Sequence, residues 1–228
     1  PETASLSEIK VNIPSKNVED IVIRLDRENK NITCVGFYSD IKPKDYVGDD
    51  VDGFFYLSID AATQQIVAKG VKQIDKAIVQ QLMEIKKAKN IKEGQGISNN
   101  FEIVYLKKKS DGTTTLISEY RKLVVYTYTR CNQNGGCTTH TTYTFYREDV
   151  FVVNIASDGT VLSFIDIPKK QISSNDGGMY SSFLPFEKGD KLYLLYNENP
   201  ENLDPNIKTM KDIKVMSNVK KACLVAVG

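Results

Sequence analysis

Apolar and polar residues alternate with a period of two along most of the chain, and short polar turns separate the alternating runs. The longest such pattern is LVVYTYTRCNQNGGCTTHTTYTFY, from Leu123 to Tyr146. Two runs rich in Thr, Tyr, Val and Phe flank a turn signal, NQNGG, and this arrangement is typical of a β-hairpin. The sequence therefore predicts a long hairpin over residues 123–146, which we call the arm.

Two cysteines, Cys131 and Cys137, set the predicted register of the arm. If they face each other, Tyr128 lies opposite His140. Both faces change from apolar at the base to threonine near the tip, as expected of a ribbon that is rooted in a core and extends into water. A disulfide between the cysteines would stabilise the tip by roughly 2–3 kcal/mol through loop closure. It would also require an oxidising compartment.

The other strand patterns repeat along the chain at intervals of about 80 residues. Each repeat supplies two hairpins and hence four strands, which is the content of one propeller blade. We therefore predict an all-β chain of repeated four-stranded antiparallel sheets, a partial β-propeller of about 2.5 blades in a single domain. The predicted repeats cover residues 18–97, 98–175 and 176–228. The residues at equivalent positions of the three repeats are Ile59, Ile155 and Val227.

One segment departs from the strand pattern. After Asp75 the apolar period changes from two to about 3.6, which predicts an inserted helix near residues 75–89. The third repeat stops where the earlier two turn back with a fourth strand. Because a closed propeller usually needs at least four blades, the chain is expected to be a fragment of a longer protein. The alternative is an open stack of sheets, but an unpaired apolar terminal strand favours the fragment.

Charge and cysteine usage narrow the classes of partner. The chain has 30 Lys and Arg against 29 Asp and Glu, and a net charge of +1 disfavours nucleic acid and anionic membranes as partners. No apolar run approaches the roughly 20 residues needed to span a bilayer. Cys34 and Cys223 lie in apolar strands, where free thiols behave as small hydrophobes, and a bridge between them is the less favoured alternative.

Few residues are candidates for chemistry, and we predict no catalytic residues. The only histidine, His140, lies near a hairpin tip, which provides neither a water-excluded pocket nor an oriented acid. Together with Cys131 and Cys137 it makes three potential zinc ligands, whereas structural zinc takes four, so the disulfide is favoured.

An acidic loop, DYVGDDVDG, contains candidate calcium ligands. Asp49, Asp50 and Asp52 supply the hard oxygen atoms that calcium prefers, but their spacing does not match the known twelve-residue calcium loop. A solvated turn is the preferred interpretation, and no metal or other cofactor is predicted.

Four tyrosines, Tyr126, Tyr128, Tyr143 and Tyr146, lie close to His140 on the arm. Tyrosine supplies a large contact area at low entropic cost, so these five residues are the predicted binding residues of the arm. In the predicted register Tyr143 lies on one face of the arm and the other four residues lie on the opposite face. The alternative is that the tyrosines near the base fill the core.

Several blocks of the sequence resemble a group of uncharacterised exported β-propeller-like proteins of Bacteroidota. The blocks are FYSD, GFFYLSID, EDVFVVNI, IPKKQ, NDGGMYSSF and GDKLYLLYNENPENL, together with the Tyr- and Thr-rich flanks of the arm. The resemblance covers most of residues 21–228. It implies export to the periplasm or cell surface and a propeller-like architecture, and it implies no activity. The arm tip differs, since similar sequences have a polar turn without cysteines there.

The combined prediction is a non-catalytic, exported binding or scaffold module of the bacterial cell envelope, which engages a protein partner through the arm and loops. The alternative is a glycan-binding or glycan-hydrolysing propeller with a calcium-assisted carboxylate site. Paired carboxylates about 5–9 Å apart in a central pocket would support that alternative. Its candidate carboxylates are Asp50, Asp52 and Asp176.

Overall fold

The computed structural model of the chain describes residues 8–9, 11, 13–26, 30–41, 50–75, 96–189, 191–207 and 212–228. Within them the chain is all-β, with two short 3₁₀ turns at Pro200–Leu203 and Val219–Lys221. The strands are β1 Lys16–Asp26, β2 Asn31–Asp40, β3 Asp50–Val51, β4 Gly53–Asp60, β5 Ile66–Gln73, β6 Ile97–Ser98, β7 Phe101–Lys108, β8 Thr114–Cys131, β9 Cys137–Ile155, β10 Val161–Ser174, β11 Leu184–Lys188, β12 Lys191–Glu198 and β13 Cys223–Val227.

The strands form antiparallel sheets in which neighbouring strands are joined mostly by short turns. The first sheet has the order β1-β2-β4-β5, the second β7-β8-β9-β10 and the third β11-β12-β13, and β3 pairs with β6. The predicted four-stranded antiparallel sheets are thus confirmed for the first two sheets, and the third sheet has three strands. Among the described residues the sheets close into neither a barrel nor a propeller.

The three residues predicted to be equivalent occupy the same place in their sheets. Ile59, Ile155 and Val227 each lie at or next to the end of the third strand of a sheet. Ile59 and Ile155 are buried, whereas Val227 is 37% exposed. The difference follows from the topology, because β13 is an edge strand of its sheet whereas β4 and β9 are central.

The central core lies between the first and second sheets. Phe151 on β9 is fully buried there, and its ring centroid lies 5.1 Å from those of Phe101 and Phe164 and 5.9 Å from that of Phe37. Side chains from β2, β4, β7, β8 and β9 complete this core. A second core joins Ile117 and other residues of the second sheet to the third sheet.

Strand β4 shows why one run of the sequence, GFFYLSID, is apolar without alternation. Phe54 and Tyr56 point into the central core, while Phe55 and Leu57 pack on the opposite face of the first sheet. Because successive side chains of a strand point to opposite faces, a strand buried on both faces is apolar throughout.

The first and second sheets come into backbone contact at two glycines. A Cβ atom on Gly70 of β5 would lie 2.3 Å from the carbonyl oxygen of Gly159, in the turn between β9 and β10. Gly159 also has a φ of +91°, which side-chain-bearing residues rarely adopt. Glycine at both positions therefore permits this close approach of the two sheets.

The predicted helix near residues 75–89 lies outside the described residues, apart from Asp75 at its start.

Candidate functional site

The arm extends from the second sheet as the outer parts of β8 and β9. Tyr128 pairs with His140, as the predicted register requires, and a disulfide joins Cys131 to Cys137 at the tip. The hairpin, its register and its disulfide are therefore confirmed. Strand β10 supports the root of the arm as far as Ser174, and beyond that point the arm is a two-stranded ribbon.

Both faces of this ribbon are open to solvent. All residues from 122 to 141 are exposed, and the exposed fractions of Tyr126, Tyr128 and Tyr143 are 62%, 44% and 46%. These three tyrosines therefore do not fill the core. Only Tyr146, at the root beside Ile172 of β10, is half-buried.

The two faces of the arm differ in chemistry. On one face the Tyr128 ring stacks on the His140 ring at 5.2 Å between centroids and lies 5.8 Å from the Tyr126 ring. We call these three residues the aromatic ladder. The other face carries pairs of threonines whose hydroxyl oxygens are 3.0 Å apart, Thr127 with Thr141 and Thr129 with Thr139.

The five predicted binding residues divide between the two faces of the arm, as the predicted register requires. Tyr126, Tyr128 and His140 are brought together in the aromatic ladder, and Tyr146 lies on the same face nearer the root. Tyr143 faces Val125 and belongs to the threonine face. The period of two along each strand separates it from the others.

Asn132 organises the turn at the arm tip. Its side-chain oxygen accepts hydrogen bonds from the backbone N–H groups of Asn134 and Gly136, at 3.1 and 2.8 Å. Asparagine is favoured in turns because its short side chain can bond the backbone in this way. The sequence NQNGG thus gives a turn that is held by its own side chain as well as by the disulfide.

A buried ion pair lies at the root of the arm, between the second and third sheets. The Lys169 ammonium is 2.8 Å from a carboxylate oxygen of Glu119, and neither side chain has any exposed area. The same ammonium donates hydrogen bonds of 2.9 Å to the carbonyl of Arg147 and to the side chain of Gln171. Lys169 therefore joins β8, β9 and β10 where the arm begins.

Further hydrogen bonds connect this ion pair to the third sheet. The second oxygen of Glu119 accepts bonds of 2.7 Å from Arg121 and from the hydroxyl of Ser182. Gln171 accepts from the backbone of Ser182 at 2.6 Å and donates to the carbonyl of Asn197 at 2.8 Å. We call Glu119, Arg121, Lys169, Gln171 and Ser182 the root cluster. It links the root of the arm to Asn197 of the third sheet and to Ser182 just before that sheet begins.

Sequence reasoning missed the root cluster. The signal it overlooked is the alternation of β8, in which Glu119 follows the buried Ile117 by two positions and so faces inward. A carboxylate on an inward face needs a buried cation nearby. Which lysine supplies it is not encoded locally, because Lys169 is fifty residues further along the chain.

Two carboxyl groups beside the root cluster have raised pKa values. Burial, and secondly the charge of Asp166, raise the pKa of Asp149 to about 8. Burial raises the pKa of Asp166 to about 6. Burial also lowers the pKa of Lys169, and its interaction with Glu119 opposes this change.

The raised pKa of Asp149 predicts a pH-dependent effect of the substitution Asp149→Asn. Below pH 3.8, the pKa of Asp149 in the unfolded chain, the protonated group makes its full contribution to the free energy of unfolding. This contribution is lost as the pH rises towards about 8, because the folded state keeps a proton that the unfolded state releases. Asparagine cannot ionise. We therefore compare the free energy of unfolding of Asp149→Asn with that of the parent chain. We expect this difference to favour the variant more at pH 8 than at pH 5, by at least about 1 kcal/mol. Urea unfolding at the two pH values measures this difference.

Asp158→Asn is the matched control for this experiment. Hydrogen bonds from Thr160 lower the pKa of Asp158, so its carboxylate stays ionised from pH 5 to pH 8 in both states. Its effect on stability should be the same at both values. Equal effects of Asp149→Asn at pH 5 and pH 8 would contradict the assignment of a buried, protonated carboxyl group.

Of the candidate calcium ligands that the structure describes, Asp52 serves the backbone. Asp52 is buried and accepts the N–H of Asp40 at 2.7 Å, and Asp50 lies in β3 opposite Ser98, while Asp49 lies outside the described residues. Asp176 accepts the N–H of Gly178 at 2.9 Å within a turn. Across the described part of the chain, no three His, Cys, Asp or Glu residues are grouped so as to hold a metal ion.

The remaining cysteines, Cys34 and Cys223, are both free thiols. In the described ranges, no helix has the length and apolar character that crossing a membrane requires.

Comparisons of the chain with protein-family models, with curated proteins and with solved structures find no match.

Proposed function

We propose that this protein is a non-catalytic, exported binding module of the bacterial cell envelope and that its arm engages a protein partner. The observation that carries the proposal is the aromatic ladder of Tyr126, Tyr128 and His140, which is held on a two-stranded ribbon with both faces in solvent. Buried contact areas between proteins are enriched in tyrosine, and a few such residues usually carry most of the binding energy.

The arm is held in place at both ends, which favours a role in binding over that of a simple connecting loop. An isolated two-stranded hairpin is only marginally stable in water. This one is held by the Cys131–Cys137 disulfide at its tip and by the root cluster at its base. A ribbon ordered before binding loses less conformational entropy on binding, which favours affinity.

Export and a propeller-like architecture are part of the proposal. The disulfide is compatible with an oxidising compartment, and the resemblance to exported proteins of Bacteroidota points in the same direction. Sheets that pack face to face around shared cores are what successive propeller blades require. The first strands of neighbouring sheets also meet, since Arg24 of β1 donates to the carbonyl of Leu106 on β7.

The proposal is tested with a photo-crosslinking amino acid at position 128, in the full chain added to envelope extract. We expect one predominant protein adduct. The same probe at position 180, where Tyr180 is 48% exposed outside the arm, is the control and should not give this adduct. The adduct identifies the protein used in the affinity measurement.

Loss of the aromatic ladder should weaken binding to that protein at least tenfold. The variant Tyr126→Ser/Tyr128→Ser removes two exposed rings without touching the core, and central tyrosines typically contribute 2 kcal/mol or more, where about 1.4 kcal/mol is tenfold. Isothermal titration calorimetry measures the dissociation constant. Tyr180→Ser is the matched control and should leave it unchanged. Unchanged affinity of the arm variant, or glycan adducts in place of protein adducts, would overturn the proposal.

A further inference from the structure

A polar cleft of about 470 Å³ opens at one end of the space between the first and second sheets. It lies directly beyond the central core, because four of its lining residues are each two positions from a residue in or against that core on the same strand and so share its face. These four residues, with their core neighbours in parentheses, are Arg24 (Val22), Thr33 (Val35), Lys108 (Leu106) and Thr114 (Leu116).

The two sheets contribute matching pairs of side chains to this cleft. In the first sheet Arg24 of β1 pairs with Thr33 of β2, and in the second Lys108 of β7 pairs with Thr114 of β8. Each pair places a cation beside a hydroxyl. Two cations and two hydroxyls therefore line one space from opposite sides.

The two hydroxyls are buried donors without a use in the fold. Thr33 is 2% exposed and Thr114 is fully buried, and their hydroxyl oxygens make no hydrogen bond within the ranges that the structure describes. Buried polar groups are nearly always paired, because an unpaired one loses its bonds to water without compensation. Both residues line the cleft, so their hydroxyls are unused donors in its wall.

The charge of the cleft indicates which ligand fits. Its lining contains four cations, Arg24, Lys107, Lys108 and Lys109, and one carboxylate, Asp26. Lys107 pairs outward with Glu187, and the ammonium of Lys108 is 3.4 Å from Asp26. An excess of positive charge remains, although the whole chain has a net charge of only +1.

Toward the described residues, Arg24 uses only one of its hydrogen-bond donors. Its guanidinium donates to the carbonyl of Leu106, but the group carries five N–H donors in a planar fork. This fork matches the paired oxygens of a phosphate or a carboxylate.

We propose that this cleft binds a small molecule through an oxyanion group, a phosphate or a carboxylate, held by Arg24 and Lys108 and by the hydroxyls of Thr33 and Thr114. The volume lies within the range of small-molecule sites and leaves room for a ligand larger than the oxyanion itself. The site is independent of the arm, which belongs to the opposite end of β8.

The test is an amide NMR titration of the full chain, with inorganic phosphate and with glucuronate as separate probes. Ionic strength is held constant with sodium chloride, so that simple charge screening is not mistaken for binding. We expect saturable shifts at Arg24, Thr33, Lys108 and Thr114 with at least one probe. Saturation by phosphate alone identifies a phosphate-bearing ligand, and saturation by glucuronate alone identifies a carboxylate-bearing one.

Variants then assign the contacts. Lys108→Gln and Arg24→Gln should each weaken binding of the saturating probe about tenfold, as expected for loss of a charge-assisted hydrogen bond. Thr33→Val removes only the hydroxyl. It should weaken binding severalfold and raise the thermal unfolding midpoint of the ligand-free chain, because an unpaired buried donor is gone. Lys188→Gln, on the exposed hairpin of the third sheet, is the matched control and should leave binding unchanged.

Three results would overturn the proposal. They are the absence of saturable shifts with both probes, shifts that sodium chloride alone reproduces, and equal affinity in the parent and Lys108→Gln chains. If Arg24→Gln fails to fold because the bond to Leu106 is lost, Lys108→Gln and Thr33→Val still decide the outcome.

Discussion

Replacement of Phe151 by alanine is expected to lower the free energy of unfolding by about 3–5 kcal/mol, the usual range for truncation of a buried aromatic side chain. Phe151 has no exposed area, and its ring contacts those of Phe37, Phe101 and Phe164 at the centre of the core between the first and second sheets. Truncation would leave a cavity that both sheets border. Urea unfolding followed by far-ultraviolet circular dichroism measures the loss in this tryptophan-free chain.

Phe186→Ala is the matched control. Phe186 is 38% exposed and stacks on Tyr193 of the third sheet, at 5.2 Å between ring centroids. We expect it to cost less than about 1.5 kcal/mol, because less apolar area returns to water and no enclosed cavity forms. Similar losses for both variants would show that the two sheets do not share a core. If Phe151→Ala does not fold, Phe151→Leu should still cost more than the control.

Replacement of Lys169 by methionine is expected to cost about 3 kcal/mol, although methionine is nearly as long and more apolar. The substitution leaves the carboxylate of Glu119 in a site without solvent contact, and breaking one side of a buried ion pair typically costs 3–5 kcal/mol. We expect the lower end of this range because Arg121 still donates to Glu119 at 2.7 Å. Urea unfolding at pH 7 measures the loss.

A double-mutant cycle separates the lost charge pair from lost packing. Glu119→Gln/Lys169→Met removes both charges and should recover much of the stability lost in Lys169→Met, since no uncompensated buried charge remains. Lys188→Met makes the same substitution at an exposed site and should change stability by less than about 0.5 kcal/mol. Strict additivity of the two single substitutions would contradict a direct interaction between Glu119 and Lys169.

The arm shows how much a local pattern can predict. Its strands, the pairing of Tyr128 with His140 and the Cys131–Cys137 disulfide all follow from residues within a single hairpin. The same alternation places Tyr143 on the face opposite Tyr126, as the predicted register requires. It does not determine that both faces of the arm are exposed to solvent.

The root cluster and the polar cleft show where local patterns fail. Glu119 and Ser182 are 63 residues apart in the chain, and Arg24 and Leu106 are 82 residues apart. Each pair meets only because two sheets stack in a particular orientation. A charged residue in a strand looks the same in sequence whether it faces water or a buried counter-ion.

Patterns between near neighbours in the chain were enough to predict most of the β-strands, the order of the hairpins, the four-stranded sheets and the cross-linked arm, because alternation and turn chemistry act over short distances in sequence. The packed structure was needed to show that Lys169 neutralises Glu119 inside the protein and that Thr33 and Thr114 share a basic cleft. These contacts depend on how sheets pack against each other, and the burial that gives the charges and hydroxyls their energetic weight arises only in that packing.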